Sequence, residues 1–146
     1  MLDMIVIKTI TAQQTWPIRN TVMYPEKQLH EVILPNDADG THFGLYEHDE
    51  LVSVVSFFKD GNNAQLRKLA TVAEKQGLGY GRTLLNYVIE HSKSLGAEKL
   101  WCNARKNKAS FYKKLGFQET DKTYFQDGYH FVVMELHLKK DDQSRV

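Results

Sequence analysis

The stretch Leu69-Ala70-Thr71-Val72-Ala73-Glu74-Lys75-Gln76-Gly77-Leu78-Gly79-Tyr80-Gly81-Arg82-Thr83-Leu84-Leu85 holds the residues best suited to bind a polyanion. A β-prone run ends, glycines follow, and an amphipathic helical pattern begins within a few residues. The first amides of a helix have no partner inside it and carry the positive end of its dipole. Glycine accepts positive φ and lets an anion come close to the backbone. Strand, glycine loop and helix start therefore make a phosphate site on physical grounds alone.

Three phosphate-loop types compete for this pattern. A dinucleotide Gly-x-Gly-x-x-Gly starting at Gly77 needs glycine at position 82, where Arg82 stands. A nucleotide-triphosphate loop ending at Gly81-Arg82-Thr83 needs lysine at 82 and glycine at 76, where Gln76 stands. The pattern that survives is Gln-x-x-Gly-x-Gly, met by Gln76, Gly79 and Gly81. It resembles the pyrophosphate loop of the GNAT acetyltransferase superfamily. The resemblance continues in Phe111-Tyr112-Lys113-Lys114-Leu115-Gly116-Phe117, similar to the tyrosine and Leu-Gly-Phe with which family members commonly end the next helix. It is clear over about residues 51–117 and extends more weakly, through the order of elements, to most of the chain.

The resemblance implies a GNAT-like α/β fold with a mixed, mostly antiparallel central sheet flanked by helices. It implies an acetyl-CoA-dependent N-acetyltransferase that moves the acetyl group from the thioester to a primary amine of a small molecule or peptide by direct attack. The backbone amides of Gly77, Leu78, Gly79, Tyr80, Gly81 and Arg82, after Gln76, would hold the pyrophosphate, with side-chain donors from Arg82 and Thr83. The backbones of Thr71 and Val72 would bond the pantetheine arm, and an amide near one of them would face the oxyanion. Tyr112 would stand beside the thioester sulfur as general acid. The chain also departs from the family: Arg105 and Lys108 stand where many members have Asn and Ala. Asn107, or Asn103, is the candidate to replace the missing amide contact.

Each assignment has a plainer counterpart. An aromatic on a helix usually packs in the core, although Phe111 and Leu115, four apart, already supply an apolar face for Tyr112's helix. Arg105, Lys106, Lys108, Lys113 and Lys114 form a run without acids, and at least two of them are expected to be solvated. Cys102, in a strand, reads as a small buried hydrophobe. Glu47, His42 and Glu74 are candidates for a general base, and none is singled out. Trp16, Arg19, Tyr24, Tyr124, Phe125 and Tyr129 are candidates to line the acceptor pocket. The alternative function is a non-catalytic acyl-CoA-binding sensor. A nucleotide-binding module is a third, disfavoured by the two failed templates.

Composition narrows the class further. The 146 residues suit one domain, with 19 basic and 18 acidic side chains and a net charge of +1. Bulk electrostatic binding to nucleic acid or anionic membrane is therefore not expected. A single cysteine excludes an intrachain disulfide and suits a reducing compartment. Met1–Lys8 lacks the pattern of a secretory leader, no apolar run suits a membrane span, and a cytoplasmic location follows as the expectation. The six histidines form no dense ligand motif, so no metal is expected. A homodimer is compatible with the family.

These residues require a particular set of elements. Met4 to Ile10 reads as a strand, followed by a helix capped by Thr11 with Ile18, Val22 and Met23 on one face. Pro17 should sit near its first turn or at a kink. A long connection over 24–40 carries a short helix near Leu29–Val32. His42–Tyr46 and Leu51–Phe58 form a hairpin, Gln65–Val72 is a strand, and 73–81 is the glycine loop. The next helix runs to about Leu95 and buries Leu84, Leu85, Val88, Ile89, Ser92 and Leu95, with His91 on its exposed side and Gly96 as cap. Then come a strand over Lys99–Ala104, a helix over Lys106–Leu115 and a final strand pair turning at Asp127-Gly128. Residues 139–146 read as a frayed tail.

Overall fold

The computed structural model describes residues 4–138. The tail at 139–146, and Met1 to Asp3 of the Met1–Lys8 segment, lie outside the described residues. Two compact units are present, one within Met1–Phe58 and Leu66–Val88, the other within Lys59–Gln65 and Ile89–Val146. Among the described residues seven strands, β1 (Ile5–Ile10), β2 (Thr41–Glu47), β3 (Glu50–Asp60), β4 (Asn63–Thr71), β5 (Lys99–Arg105), β6 (Gln118–Gln126) and β7 (Tyr129–His137), form a mixed sheet in the order β1-β2-β3-β4-β5-β7-β6. Its pairings are antiparallel for β1–β2, β2–β3, β5–β7 and β6–β7, and parallel where Asn63–Gln65 meets Lys99–Trp101. This is the mostly antiparallel sheet with flanking helices that the sequence implies.

In the first unit, β1 (Ile5–Ile10) leads to α1 (Ala12–Ile18). Thr11 caps α1 with both halves of a capping box: its hydroxyl accepts from the Gln14 amide at 3.2 Å, and the Gln14 side-chain oxygen accepts from the Thr11 amide at 2.9 Å. Pro17 lies inside α1, not at its first turn, and the chain widens to π-helical spacing over Arg19–Met23. Ile10, Ile18, Val54 and Ala70 cluster there, with Val22 and Met23 packed against them. The long connection forms 3-10 turns at Leu29–Val32, where one is expected, and at Asp37–Asp39. β2 (Thr41–Glu47) and β3 (Glu50–Asp60) are joined through His48 and Asp49, both at positive φ as a tight hairpin turn demands.

β4 (Asn63–Thr71) is followed by a 3-10 turn at Ala73–Lys75 and by α2 (Tyr80–Ser94). Leu84, Leu85, Val88, Ile89 and Ser92 are buried, but Leu95 is 45% exposed. The reason is where the helix closes. Gly96 takes φ +76°, the Ala97 amide donates to the Ser92 carbonyl at 3.1 Å and the Gly96 amide to Lys93 at 3.0 Å, so Leu95 is already outside the buried stripe. His91 is half-buried and not on an open face, and burial lowers its imidazole pKa.

The second unit holds β5 (Lys99–Arg105), a 3-10 turn (Lys106–Lys108), α3 (Ala109–Lys113), β6 (Gln118–Gln126) and β7 (Tyr129–His137). The single helix expected over 106–115 is thus a tight turn followed by a short α-helix. Its end repeats the closure of α2. The Phe117 amide donates to the Tyr112 carbonyl at 3.2 Å, the Gly116 amide to Lys113 at 3.0 Å, and Gly116 takes φ +98°. Leu-Gly-Phe is therefore a helix cap, with Phe117 returned to the core at 2% exposure. Asp127 and Gly128 make the β6–β7 turn, both at positive φ. Among the described residues no helix is long and apolar enough to cross a membrane.

Candidate active site

The glycine loop is tied at its margins and open in its middle. Gln76 donates from its side-chain amide to the Thr71 carbonyl at 2.9 Å, folding the loop back on the end of β4. Gly77 and Gly79 take φ of +82° and +84°, where any side chain is strained, and nothing lies within 4 Å of where their Cβ atoms would be. Leu78 between them is 58% exposed. Gly79 stands just before α2 with no side chain to cap it, and no acidic residue occupies the helix's first turn. Gly81 already lies within that turn. Arg82 is exposed there, and the Thr83 hydroxyl donates to the Gly79 carbonyl at 3.0 Å. The arrangement suits a diphosphate: open space, left-handed glycines and a helix start with no acid in its first turn.

Upstream, Thr71 and Val72 are more committed than the sequence suggests. Thr71 shares a hydrogen bond with Ser53 between their hydroxyls at 2.9 Å, and the Val72 amide donates to the Val52 carbonyl at 2.9 Å. The Val72 amide is thus already committed to the protein's own backbone. Lys68, in the middle of β4, takes φ +60°, uncommon for a residue with a side chain. Its ammonium reaches the Tyr24 hydroxyl at 2.6 Å and lies 4.7 Å from the ring centroid, and burial lowers its pKa. No local signal in the sequence announces this irregular strand.

In the second unit Tyr112 is half-buried and packs edge-to-face on Phe111 and Phe117, with centroids 5.1 and 5.5 Å away. Burial, with Cys102 nearby, pushes its phenol well above the usual range, so the hydroxyl keeps its proton across neutral pH. Cys102 is 2% exposed and burial pushes its thiol up to about 12, which makes it a packing residue and not a nucleophile. Asn107 is exposed in the Lys106–Lys108 turn and lines a cavity of about 750 Å3 with Arg105, Tyr124, Phe125 and Tyr129.

The family model for the acetyltransferase (GNAT) domain matches residues 6–138. The chain belongs to the GNAT acetyltransferase family. It is 27% identical over 146 residues to the uncharacterized N-acetyltransferase YitI of Bacillus subtilis (strain 168), covering 93% of this chain and 98% of that one. It is 33% identical over 85 residues to the [ribosomal protein bS18]-alanine N-acetyltransferase of Haemophilus influenzae, covering 56% and 58% of the two chains. A Bacillus subtilis acetyltransferase solved in complex with CoA superposes with a TM-score of 0.71 at 21% identity, covering 94% of this chain and all of the other. The protein is thus an acyltransferase.

Two of the acetyltransferase's three candidate bases are occupied. The His42 ring is 4% exposed, with Nε2 donating to the Asp37 carbonyl at 2.8 Å and Nδ1 accepting from the Ser56 hydroxyl at 2.7 Å. Glu47 forms an ion pair with Lys75 at 2.6 Å and accepts from the Tyr80 hydroxyl, and the two together hold its carboxyl below the usual range. Glu74 is exposed in its turn. The acceptor candidates also divide. Arg19 and Tyr24 are buried, at 0% and 7% exposure, and line neither the first-unit cavity nor the hairpin cavity. Trp16 is half-buried beside a cavity of about 500 Å3, its indole N–H donating to Asp37 at 3.1 Å. Tyr124, Phe125 and Tyr129 line the hairpin cavity.

Proposed function

We propose that this chain transfers the acetyl group of acetyl-CoA to a primary amine by direct attack, with both compact units acting as one N-acetyltransferase domain in the cytoplasm. The observation that carries the reading is the open loop at Gly77–Gly79 leading into α2, with two left-handed glycines and no acid in the helix's first turn. Family membership and a relative solved with CoA support it.

In this reading the diphosphate takes the amides from Gly77 to Arg82, the exposed Arg82 side chain adds its charge, the Thr83 hydroxyl braces the Gly79 carbonyl at the loop's end, and Asn107 is a further cofactor contact. The pantetheine arm follows the backbone at Thr71, and Gln76 holds that strand end to the loop. The acceptor arrives as a free amine, because an ammonium has no lone pair. Its nitrogen bonds to the thioester carbonyl carbon, and an amide near Thr71 stabilises the oxyanion. The C–S bond then breaks, the thiolate takes the Tyr112 proton, the amine's surplus proton leaves to water, and water returns a proton to the Tyr112 phenolate. A phenol with a raised pKa is always protonated when needed, although it is a weaker acid for the thiolate. We propose that the hairpin cavity with Tyr124, Phe125 and Tyr129 receives the acceptor. The acetyl donor is the only cofactor in this mechanism.

A thermal-shift series with CoA and acetyl-CoA, followed by a free-thiol assay across small amines, amino acids and peptides, tests the whole reading. A ligand selective for the folded chain raises its melting temperature. No shift at saturating cofactor would end the proposal.

A further inference from the structure

One carboxylate touches both ends of the phosphate loop. Glu47, the last residue of β2, places one oxygen 2.6 Å from the Lys75 ammonium and with the other accepts from the Tyr80 hydroxyl. Lys75 ends the turn that enters the loop, and Tyr80 is the first residue of α2, so the two contacts bracket residues 76–79. Glu47 and Tyr80 are 9% and 6% exposed. Between them, Gly77 and Gly79 have open space on their Cβ side and would otherwise sample many backbone states. A site that meets a diphosphate with backbone amides gains from having those amides set in advance.

We propose that Glu47 is a positioning residue for the cofactor loop, holding Lys75 and Tyr80 so that the amides between them are preset for a diphosphate. It acts through those two side chains and does not touch substrate, and the inference rests on the acetyl-CoA reading above. Simple electrostatics predicts the opposite consequence. A carboxylate near a polyanion repels it, and removing the charge releases Lys75 to face the phosphates, so on charge alone Glu47→Gln tightens CoA binding. Positioning predicts that it weakens. The two accounts differ in sign.

Calorimetry on the wild type, Glu47→Gln and Tyr80→Phe separates them, with CoA as one ligand and pantetheine, which lacks the diphosphate, as the other, followed by ligand-observed NMR. Loss of a charge-assisted contact at one end of the loop is expected to weaken CoA about tenfold in each variant, while pantetheine changes less than about twofold. The double variant falls close to the weaker single one, because both remove the same clamp. The KM for acetyl-CoA follows the CoA affinity, and kcat changes less. Glu47→Gln binding CoA as tightly as the wild type, or more tightly, overturns the inference, and so does an equal loss for both ligands. Tyr80→Phe keeps the Lys75 pair and decides the matter should Glu47→Gln fail to fold. Wild type that does not bind CoA at all brings down the acetyl-CoA reading, and this inference with it.

Discussion

Two arginines, one in each compact unit, have opposite fates. In the first unit Arg19 is fully buried. It donates to both Asp37 carboxylate oxygens at 2.8 and 3.1 Å, to the Val32 carbonyl at 2.8 Å and to the Ser56 hydroxyl at 2.9 Å. Trp16 and the Leu34 amide also donate to Asp37, and His42 closes the set through Ser56. In the second unit Arg105 lies 3.8 Å over the Tyr129 ring on the wall of an open cavity, with Tyr124 stacked on Phe131 at 5.0 Å. The same residue types make a sealed strut in one unit and an accessible wall in the other. Asp37 supplies Arg19 with a buried bidentate partner that lets its guanidinium leave water. Residue type alone does not mark a binding wall; exposure does.

The largest expected effect comes from breaking the sealed cluster. Asp37→Asn leaves Arg19 buried without its counter-ion and is expected to cost about 3–5 kcal/mol of stability by chemical denaturation. Burial pushes the Asp37 carboxyl up, but Arg19, the Leu34 amide and Trp16 outweigh it, and its pKa lies below the ordinary value. The sign follows: the contribution is whole above an unfolded-state pKa of about 3.9 and is withdrawn as pH falls through the lower folded value. Acid should therefore erode the wild type more steeply than the variant. A loss below about 1 kcal/mol would place Arg19 and Asp37 among surface pairs and dissolve the contrast.

Tyr112 stands between the extremes, since its ring packs on Phe111 and Phe117 while its hydroxyl is the one assigned chemistry. Tyr112→Phe keeps the ring contacts. The expected outcome is a fall in kcat of about a hundredfold with CoA affinity within about twofold. An unchanged kcat would make Tyr112 a packing residue like Tyr24 and would revive the non-catalytic sensor.

Much of this was legible in the sequence wherever function depends on backbone. The strand–glycine–helix order, the helix cap at Thr11 and the stop at Gly116 are local, because each needs only neighbours within a few positions. What was not legible depends on pairs far apart in the chain. Asp37 meets Arg19 across eighteen positions, and Tyr80 meets Glu47 across thirty-three. Nothing near Glu47 announces that partner, so a carboxylate that clamps a loop looks like a candidate base. Lys68 was hidden for a related reason: its positive φ accompanies a long-range contact with Tyr24.

On the open wall the effects should be smaller and should fall on the acceptor. Tyr129→Ala removes the ring beneath Arg105, an interaction of about 0.5–1 kcal/mol at an exposed site. Acceptor KM is expected to rise a few-fold, with CoA affinity nearly unchanged and the melting temperature lower by a few degrees at roughly 1 kcal/mol lost. Equal weakening of CoA would move this wall to the cofactor and away from the acceptor.

Phe125 gives the mildest and most discriminating test. It is 63% exposed on β6 and its ring tilts against His130 at 4.8 Å, so it contributes little to the folded state. Phe125→Ser should change stability by less than about 0.5 kcal/mol, as surface substitutions usually do. An exposed aromatic that the fold does not need is free to serve a ligand. If the hairpin cavity receives the acceptor, this substitution should shift the ranking of aromatic against aliphatic amines in the free-thiol assay while leaving the rate with the smallest amine unchanged. A uniform change across all amines would mean that Phe125 acts through the hairpin's shape. No change for any of them would leave Trp16 and the first-unit cavity as the place where acceptor identity is decided.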